Sequence, residues 1–432
     1  MKVFLTSILF SALTLSCSAA VFTPDTLYSR WIIESRMGDF RNKDKTITFL
    51  TPTTCGTAGW DYVPGLVAKA IGKAWEQYQD EEWSEYMFVG IQEYADRVKM
   101  HLGESNIDDL NAAKVYFEMY RGAMAKGQIE KAELYKKNVT YCRDLLKTQH
   151  RRIQAPLPGA GGFWHKLHYV NQMWLDGLYM GPALYAEWEG QFGAELPAAE
   201  QNASWDDITL QFDTIFHYTW DPVKKLNYHA WSAEPLNKAS NYWADPVTGR
   251  SMEFWGRGVG WFFAALVDVL EYMPASHPGR ERLANYTRMV ADGLKDRQDK
   301  ASGCWYQLLQ YDASFVGQPC NIPNYLESSA SSMFTYAFLK GIRLGVLDAA
   351  TYKPVAEKAY KGLINTFVVE EADGKIKLIQ SCVSAGLSGT RKGDAHYYLC
   401  GSDVPINNDT EGKVLGPFIM ASLEFEKAHL KK

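Results

Sequence analysis

The stretch GGFWHKLHYVNQMWLDGLYMGPALYAEW, Gly161 to Trp188, decides how the rest of the chain is read. Its front half is a loop, two glycines followed by Phe163, Trp164, His165, Lys166 and His168. From Val170 onward the pattern is helical, with Met173, Trp174, Gly177, Leu178, Pro182, Ala183 and Leu184 recurring at three-and-four spacing. Gln172 and Asp176 interrupt that stripe and, being four apart, share a helix face. A carboxylate among Trp174, Leu175, Leu178 and Tyr179 is poorly solvated, which raises an Asp pKa toward the range useful for proton transfer. The alternative is a buried Asp satisfied by a hydroxyl or a backbone amide.

Outward from this stretch, helical periodicity predicts segments at Thr26–Met37, Tyr62–Gln79, Trp83–Leu102, Ile107–Met124, Ile129–Gln149, Val170–Trp188, Trp205–Tyr218, Arg257–Tyr272, Arg280–Arg297, Tyr325–Leu344, Tyr352–Val368 and Lys413–Leu430. Twelve helices on mostly short connections suggest six antiparallel hairpins, an all-α architecture; if the hairpins close into a ring, a toroid, every second helix lies inside. Polar and aromatic motifs open the even-numbered helices: Trp60-Asp61-Tyr62, Ile107-Asp108-Asp109, His168 to Asp176, Arg257 to Trp261, Glu327-Ser328-Ser329 and Asn408 to Gly412. All six would face one mouth, where helix N-termini favour a carboxylate ligand. Capping alone accounts for Asp109 and Ser328, but Trp and Arg are not caps.

At 432 residues the length allows two or three domains, yet no Pro/Ser-rich spacer or low-complexity run divides it, so 21–432 reads as one domain. Residues 1–20, MKVFLTSILFSALTLSCSAA, have the lysine, apolar run and small-residue end of a secretory signal, and the run is short for a membrane span. A lipoprotein would need Cys17 as its first mature residue, but Thr14 stands where a lipobox usually has Leu. Six cysteines then remain: Cys55, Cys142, Cys304, Cys320, Cys382 and Cys400. In an exported chain, Cys304 with Cys320 and Cys382 with Cys400 are the near pairs expected to bridge, with six free thiols as the alternative. No CxxC or His/Cys cluster suggests a metal, and no cofactor is expected. A net charge of -5 without a basic run excludes a nucleic-acid surface. With 14 Trp, 25 Tyr and 20 Phe, many beside polar residues at helix starts, the composition suits stacking on sugar rings.

GGFWHK followed by NQMWLDGLYM resembles the signature of glycoside hydrolase family 105, the unsaturated rhamnogalacturonyl hydrolases, relatives of the unsaturated glucuronyl hydrolases. WDYVPGL from Trp60, the IDD at Ile107 to Asp109, YHAW from Tyr228, FWGRGVGW from Phe254, NYLESSAS from Asn324 and the GPF segment from Gly416 fall in the family's order, so the resemblance covers nearly the whole mature chain. It implies an (α/α)6 toroid, and an activity that removes a 4,5-unsaturated uronic acid from the non-reducing end of lyase-made pectic oligosaccharides. The aspartate of the family's WLDG segment is the acid and base, a role that falls on Asp176, with Asp108 beside it to keep it protonated and orient water. Ser232 stands where relatives often have Asp, and Val259 where they often have Asn or Ala. Both departures leave the exact substrate open.

For the substrate's carboxylate the sequence offers Lys166, His165 and Arg257, the last because a guanidinium matches a carboxylate bidentately, unless it serves a structural salt bridge. Tyr62, Trp174, Trp255 and Trp261 would wall the ring and His229 would contact the sugar, with core packing the alternative for each. An unsaturated glucuronyl or galacturonyl hydrolase with another leaving sugar, a conventional exo-glycosidase or lyase, and a non-catalytic carbohydrate binder are the competing readings. Ser232 and the loop from Cys382 to Cys400 are where a second sugar would be read.

Overall fold

The computed structural model of the chain describes residues 18–37, 59–79 and 82–429. Residues 1–17, and with them Cys17, lie outside that range, as does Cys55. Fifteen helices are described: α1 Tyr28–Met37, α2 Tyr62–Gln77, α3 Glu82–Arg97, α4 Ile107–Asn111, α5 Val115–Ala125, α6 Ile129–Thr148, α7 Leu175–Met180, α8 Pro182–Phe192, α9 Ala198–Thr219, α10 Gly256–Tyr272, α11 Gly279–Lys295, α12 Ser328–Arg343, α13 Ala349–Phe367, α14 Ala395–Cys400 and α15 Gly412–His429. Each of the twelve predicted segments is present. Two are split, α4 from α5 by a single 3-10 turn at Ala112–Lys114 and α7 from α8 at Gly181, and α14 is additional.

The inner helices pack in a closed ring: α2 on α4 and α5, α4 on α7, α7 and α8 on α10, α10 on α12, α12 on α15, and α15 back on α2. Outer helices α1, α3, α6, α9, α11 and α13 lie against them, giving the six-hairpin toroid. Inner helices carry apolar and small residues on every side, as helices sunk in a core must; α10 is buried without interruption from Gly256 to Leu270. One apolar cluster runs from Ala20 to Phe425. A Cβ at Gly65 would lie 2.6 Å from the Ala112 Cα, so α2 and its neighbour approach backbone to backbone.

The connections are not uniformly short, as the periodicity suggests. Those leaving the inner helices are short: 126–128, 193–197, 273–278 and 344–348. Those entering α7, α10, α12 and α15 are long, 149–174, 220–255, 296–327 and 368–411, and carry short two-stranded ladders. The long loops therefore all gather where the inner helices begin. One further pairing joins Ser18 and Ala19 to Glu370 and Val369, on the signal side of the cut expected after Ala20.

Among the described residues a disulfide joins Cys320 to Cys400, not the sequence neighbours expected. Cys304 is buried against Gly362 of α13, and Cys382 lies buried on a strand beside Arg257, so each is packed away from its expected partner. Cys320 and Cys400, 80 residues apart, have Cα atoms 5.5 Å apart and tie α14 to the ladder of Val316–Gly317 with Ile322–Pro323.

Toward the C-terminal ends of the inner helices the core is ionic. Lys69 Nζ lies 3.0 Å from Glu118 and 2.6 Å from Glu187, and Lys340 lies 2.8 Å from Asp268 and 2.7 Å from Glu271. Burial alone would raise the Glu118 carboxyl, but Lys69, Lys73 and Arg121 hold it well below its usual range. A carboxyl depressed in the fold stabilises it above the unfolded value and loses that contribution as pH falls. Stability is therefore expected to decline once pH drops below 4.5, the ordinary Glu value. Lys69→Met, which leaves two buried carboxylates short of a cation, should cost about 3 kcal/mol in urea unfolding; an unchanged midpoint would show the network to be dispensable.

Candidate active site

Asp176 owes its place to a strand that the helical periodicity hides. Asn171 has φ 51°, Gln172–Trp174 is a strand paired with Ala230–Ser232, and only at Leu175 does the helix begin. The helix stops again at Gly181 because Pro182 has no N–H and crowds the carbonyl of the preceding turn. Gln172 and Asp176 therefore do not share a helix face. The Gln172 amide instead donates to Ala239 O and Ser240 Oγ and accepts from the Trp174 indole, locking the strand.

That register sets Leu175 N 3.0 Å from His229 O, and Asp176 Oδ2 3.0 Å from His229 Nε2. His229 is fully buried, whereas the Asp176 side chain keeps 14 % of its surface. The other ring nitrogen, Nδ1, is 2.6 Å from the Tyr398 hydroxyl. The first turn of α10 passes directly behind: a Cβ on Gly258 would sit 3.1 Å from His229 Cδ2 and 3.6 Å from Asp176 Oδ2. Gly258→Ala is thus expected to push His229 off Asp176 and lower kcat about tenfold or more, since general acid–base geometry carries ~10²-fold or greater rate effects. Thermal unfolding should move only slightly, and unchanged kcat would show that the contact has slack.

Asp108, in the first turn of α4, is not the free second carboxylate expected. Lys166 Nζ lies 2.6 Å from its Oδ2 and His165 Nε2 3.3 Å from its Oδ1. Burial pushes its carboxyl up, but His165 and Lys166 more than reverse this and hold it far below the usual range. It remains ionised with its charge compensated, so it has little negative charge left to keep Asp176 protonated. Lys166 and His165 are in turn committed to Asp108. Tyr169 lies within electrostatic reach of both aspartates.

Arg257 also departs from expectation. Its Nε donates 2.8 Å to Ser329 Oγ, its Nη2 donates to the Cys382 carbonyl, and the same nitrogen lies 3.6 Å from both Glu327 and Glu411. Glu327 is itself the cap of α12, accepting from Ser329 N and Ala330 N. At 1 % exposure the guanidinium is the structural salt bridge that binds α10, α12 and the start of α15, with no face free for a substrate carboxylate.

Of the aromatic candidates, Trp174 stacks on Tyr169, with ring centres 4.4 Å apart, and on His165, at 5.0 Å, and those two rings lie 5.9 Å from each other. Trp255 and Trp261, each 2 % exposed, lie behind the surface against Tyr398 and Tyr179 respectively, the core-packing alternative. Tyr62, half-buried, edges onto Trp261. Ser232 does not face a second sugar: it is buried, 2.8 Å from Ser240 Oγ and accepting from Glu234 N. Sequence reasoning missed Tyr398, Glu327 and Glu411 as site residues; Tyr169 was within the opening stretch and legible as a neighbour of Trp174.

A toroid with one acid paired to a histidine at its loop-rich mouth, ringed by aromatic side chains, defines a glycosidase of the (α/α)6 class. The sequence profile described as Glycosyl Hydrolase Family 88 matches residues 33–429, and the chain belongs to that family. A solved family 105 glycoside hydrolase of C. acetobutylicum ATCC 824 is 33% identical, covers 93% of this chain and 100% of its own, and superposes with a TM-score of 0.76. Protein Atu3128 of Agrobacterium fabrum is 35% identical over 226 residues, 51% of this chain and 89% of that protein. Unsaturated rhamnogalacturonyl hydrolase YesR of Bacillus subtilis is 23% identical over 343 residues, 78% of this chain and 83% of that protein.

Proposed function

We propose that the enzyme removes a 4,5-unsaturated uronic acid from the non-reducing end of rhamnogalacturonan oligosaccharides made by a lyase, with Asp176 as the single acid and base. The observation that carries this reading is the pairing of Asp176 with His229. Asp108, Glu327 and Glu411 are held by cations, while the partner of Asp176 is an imidazole. A conventional glycosidase needs two working carboxyl groups across the scissile bond. Hydration of a vinyl ether needs one.

The C4=C5 bond of such a sugar is conjugated with the ring oxygen. Asp176 donates its proton to C4, and the positive charge is shared between C5 and the ring oxygen. The Asp176 carboxylate then takes a proton from water as the water oxygen bonds to C5. The resulting hemiketal opens, C5 becomes a ketone, and C1 becomes a hemiacetal that expels the next sugar with its glycosidic oxygen. Tyr169 and half-buried Tyr62 would hold the ring, with Trp174, 4 % exposed, packed against Tyr169, and Lys166 keeps 25 % of its side-chain surface beside Asp108. Rhamnose as the leaving sugar rests on the likeness to YesR and on the motif order.

Export to the periplasm or the medium is part of the proposal. The signal-like residues 1–20 support it, and so does the Cys320–Cys400 bridge, since such bonds persist in oxidising compartments. Among the described residues no helix is long and apolar enough to cross a membrane.

Asp176→Asn should fold and bind but lose turnover, by about 10²-fold or more, followed as the fading absorbance of the unsaturated uronate. The wild type should leave the saturated disaccharide untouched, because it offers no carbon to protonate. Equal hydrolysis of both disaccharides, or near-normal turnover by the variant, would overturn the reading.

A further inference from the structure

The helix α14 stands outside the ring, yet it brings one side chain to the acid. Its start is capped by Asp394, whose carboxylate accepts from Tyr397 N at 2.9 Å, and its end is fixed by the Cys400–Cys320 disulfide. The Gln307 amide donates to the Tyr398 carbonyl at 3.2 Å, and Tyr397 OH donates to Asp403 at 3.0 Å. The Tyr398 ring is thereby held with 0 % exposure against Trp255, and its hydroxyl is 2.6 Å from His229 Nδ1.

Two hydrogen-bond patterns fit the Asp176–His229–Tyr398 row. If His229 carries its proton on Nδ1, the phenol accepts, and its own proton is left buried with no acceptor in hydrogen-bond contact. Such an unpaired donor costs about 1–3 kcal/mol. Nε2 would then also draw the Asp176 proton toward itself and away from the sugar. If the phenol donates to Nδ1, every donor is paired. Burial, with Tyr397, Glu253 and Asp176 nearby, pushes the Tyr398 hydroxyl well above its ordinary value, so it keeps the proton it must donate. The Glu253 carboxyl is itself pushed up to about 7 by burial.

We propose that Tyr398 is a positioning residue that fixes the tautomer of His229: its O–H donates to Nδ1, Nε2–H donates to Oδ2 of Asp176, and Oδ1 is left to carry the proton delivered to C4. The assignment of that proton rests on the proposed hydration reaction; the tautomer does not. Oδ2, held by Nε2–H in both protonation states of Asp176, serves as the fixed end of the acid. The carboxyl then cannot rotate its proton away from the substrate.

The test has a resting and a working arm. With histidine nitrogens labelled, the spectrum of the resting wild-type protein should show His229 protonated on Nε2 with Nδ1 accepting a hydrogen bond, assigned by its loss in His229→Gln. Tyr398→Phe should shift only the Nδ1 resonance to that of an unbonded acceptor. On the unsaturated disaccharide, Tyr398→Phe should lower kcat about 10- to 100-fold, below the full effect of losing a proton donor. KM should stay within about twofold and the ionisation in the pH–kcat profile should move. An Nδ1-protonated His229 in the resting protein overturns the proposal even if the enzyme has another substrate. So does Tyr398→Phe with unchanged kcat and pH profile, or with raised KM alone. If that variant does not fold, fluorotyrosines at position 398 keep the shape; kcat should change steadily with phenol acidity, and kcat indifferent to it overturns the proposal. Absence of turnover in the wild type with the spectra as expected would instead overturn the substrate reading alone.

Discussion

Three residue pairs, Gln172 with Ser232, Met173 with Trp231 and Trp174 with Ala230, hold the entry loops of two neighbouring hairpins edge to edge, and the acid depends on them. A slip of one residue in that ladder would turn every side chain to the other face. Trp174 would leave Tyr169 and His165, and the helix that starts at Leu175 would no longer present Asp176 to His229. The register is pinned from both sides. Gln172 reaches across to Ser240, and Ser232 meets the same hydroxyl from its own strand. Ser232, at a position where the sequence suggests sugar recognition, belongs to this brace.

Charge is managed in the same way at several places in the core. Buried carboxylates are offset by buried cations, as with Glu327 and Glu411 around Arg257, or Glu118 and Glu187 around Lys69. Removing one partner from such a pair costs more than the pair contributes, so these groups hold helices in register and are poorly suited to change protonation during a reaction. Asp108 follows this rule through Lys166 and His165. Asp176 departs from it, being partly exposed and paired to an imidazole. A group that must exchange a proton with a substrate needs that freedom.

Much of this was legible in the sequence. Apolar spacing marks all twelve barrel segments, because an inner or outer helix must bury a continuous stripe whatever its neighbours are. The motifs at the even-numbered starts likewise locate the mouth. What periodicity could not show was the interruption of the sixth segment, since strand Gln172–Trp174 and helices α7 and α8 form one almost wholly buried run, broken at Asn171, Gly181 and Pro182. Pairings across the fold were equally hidden. Arg257 reads as a free cation until Glu327 and Glu411 are brought to it, the cysteine spacing points away from a bridge that spans 80 residues, and Tyr398 lies 169 residues from the histidine it touches.

The central claim is that a carbon is protonated before the glycosidic bond breaks, and the carbon itself can report it. Turnover of an unsaturated rhamnogalacturonan disaccharide in D2O, stopped with borohydride to reduce the product, should leave one carbon-bound deuterium at C4 of the released uronate and no double bond. A released uronate that keeps its C4=C5 bond and carries no deuterium at C4 would mean attack at the anomeric carbon, and would contradict the role given to Asp176.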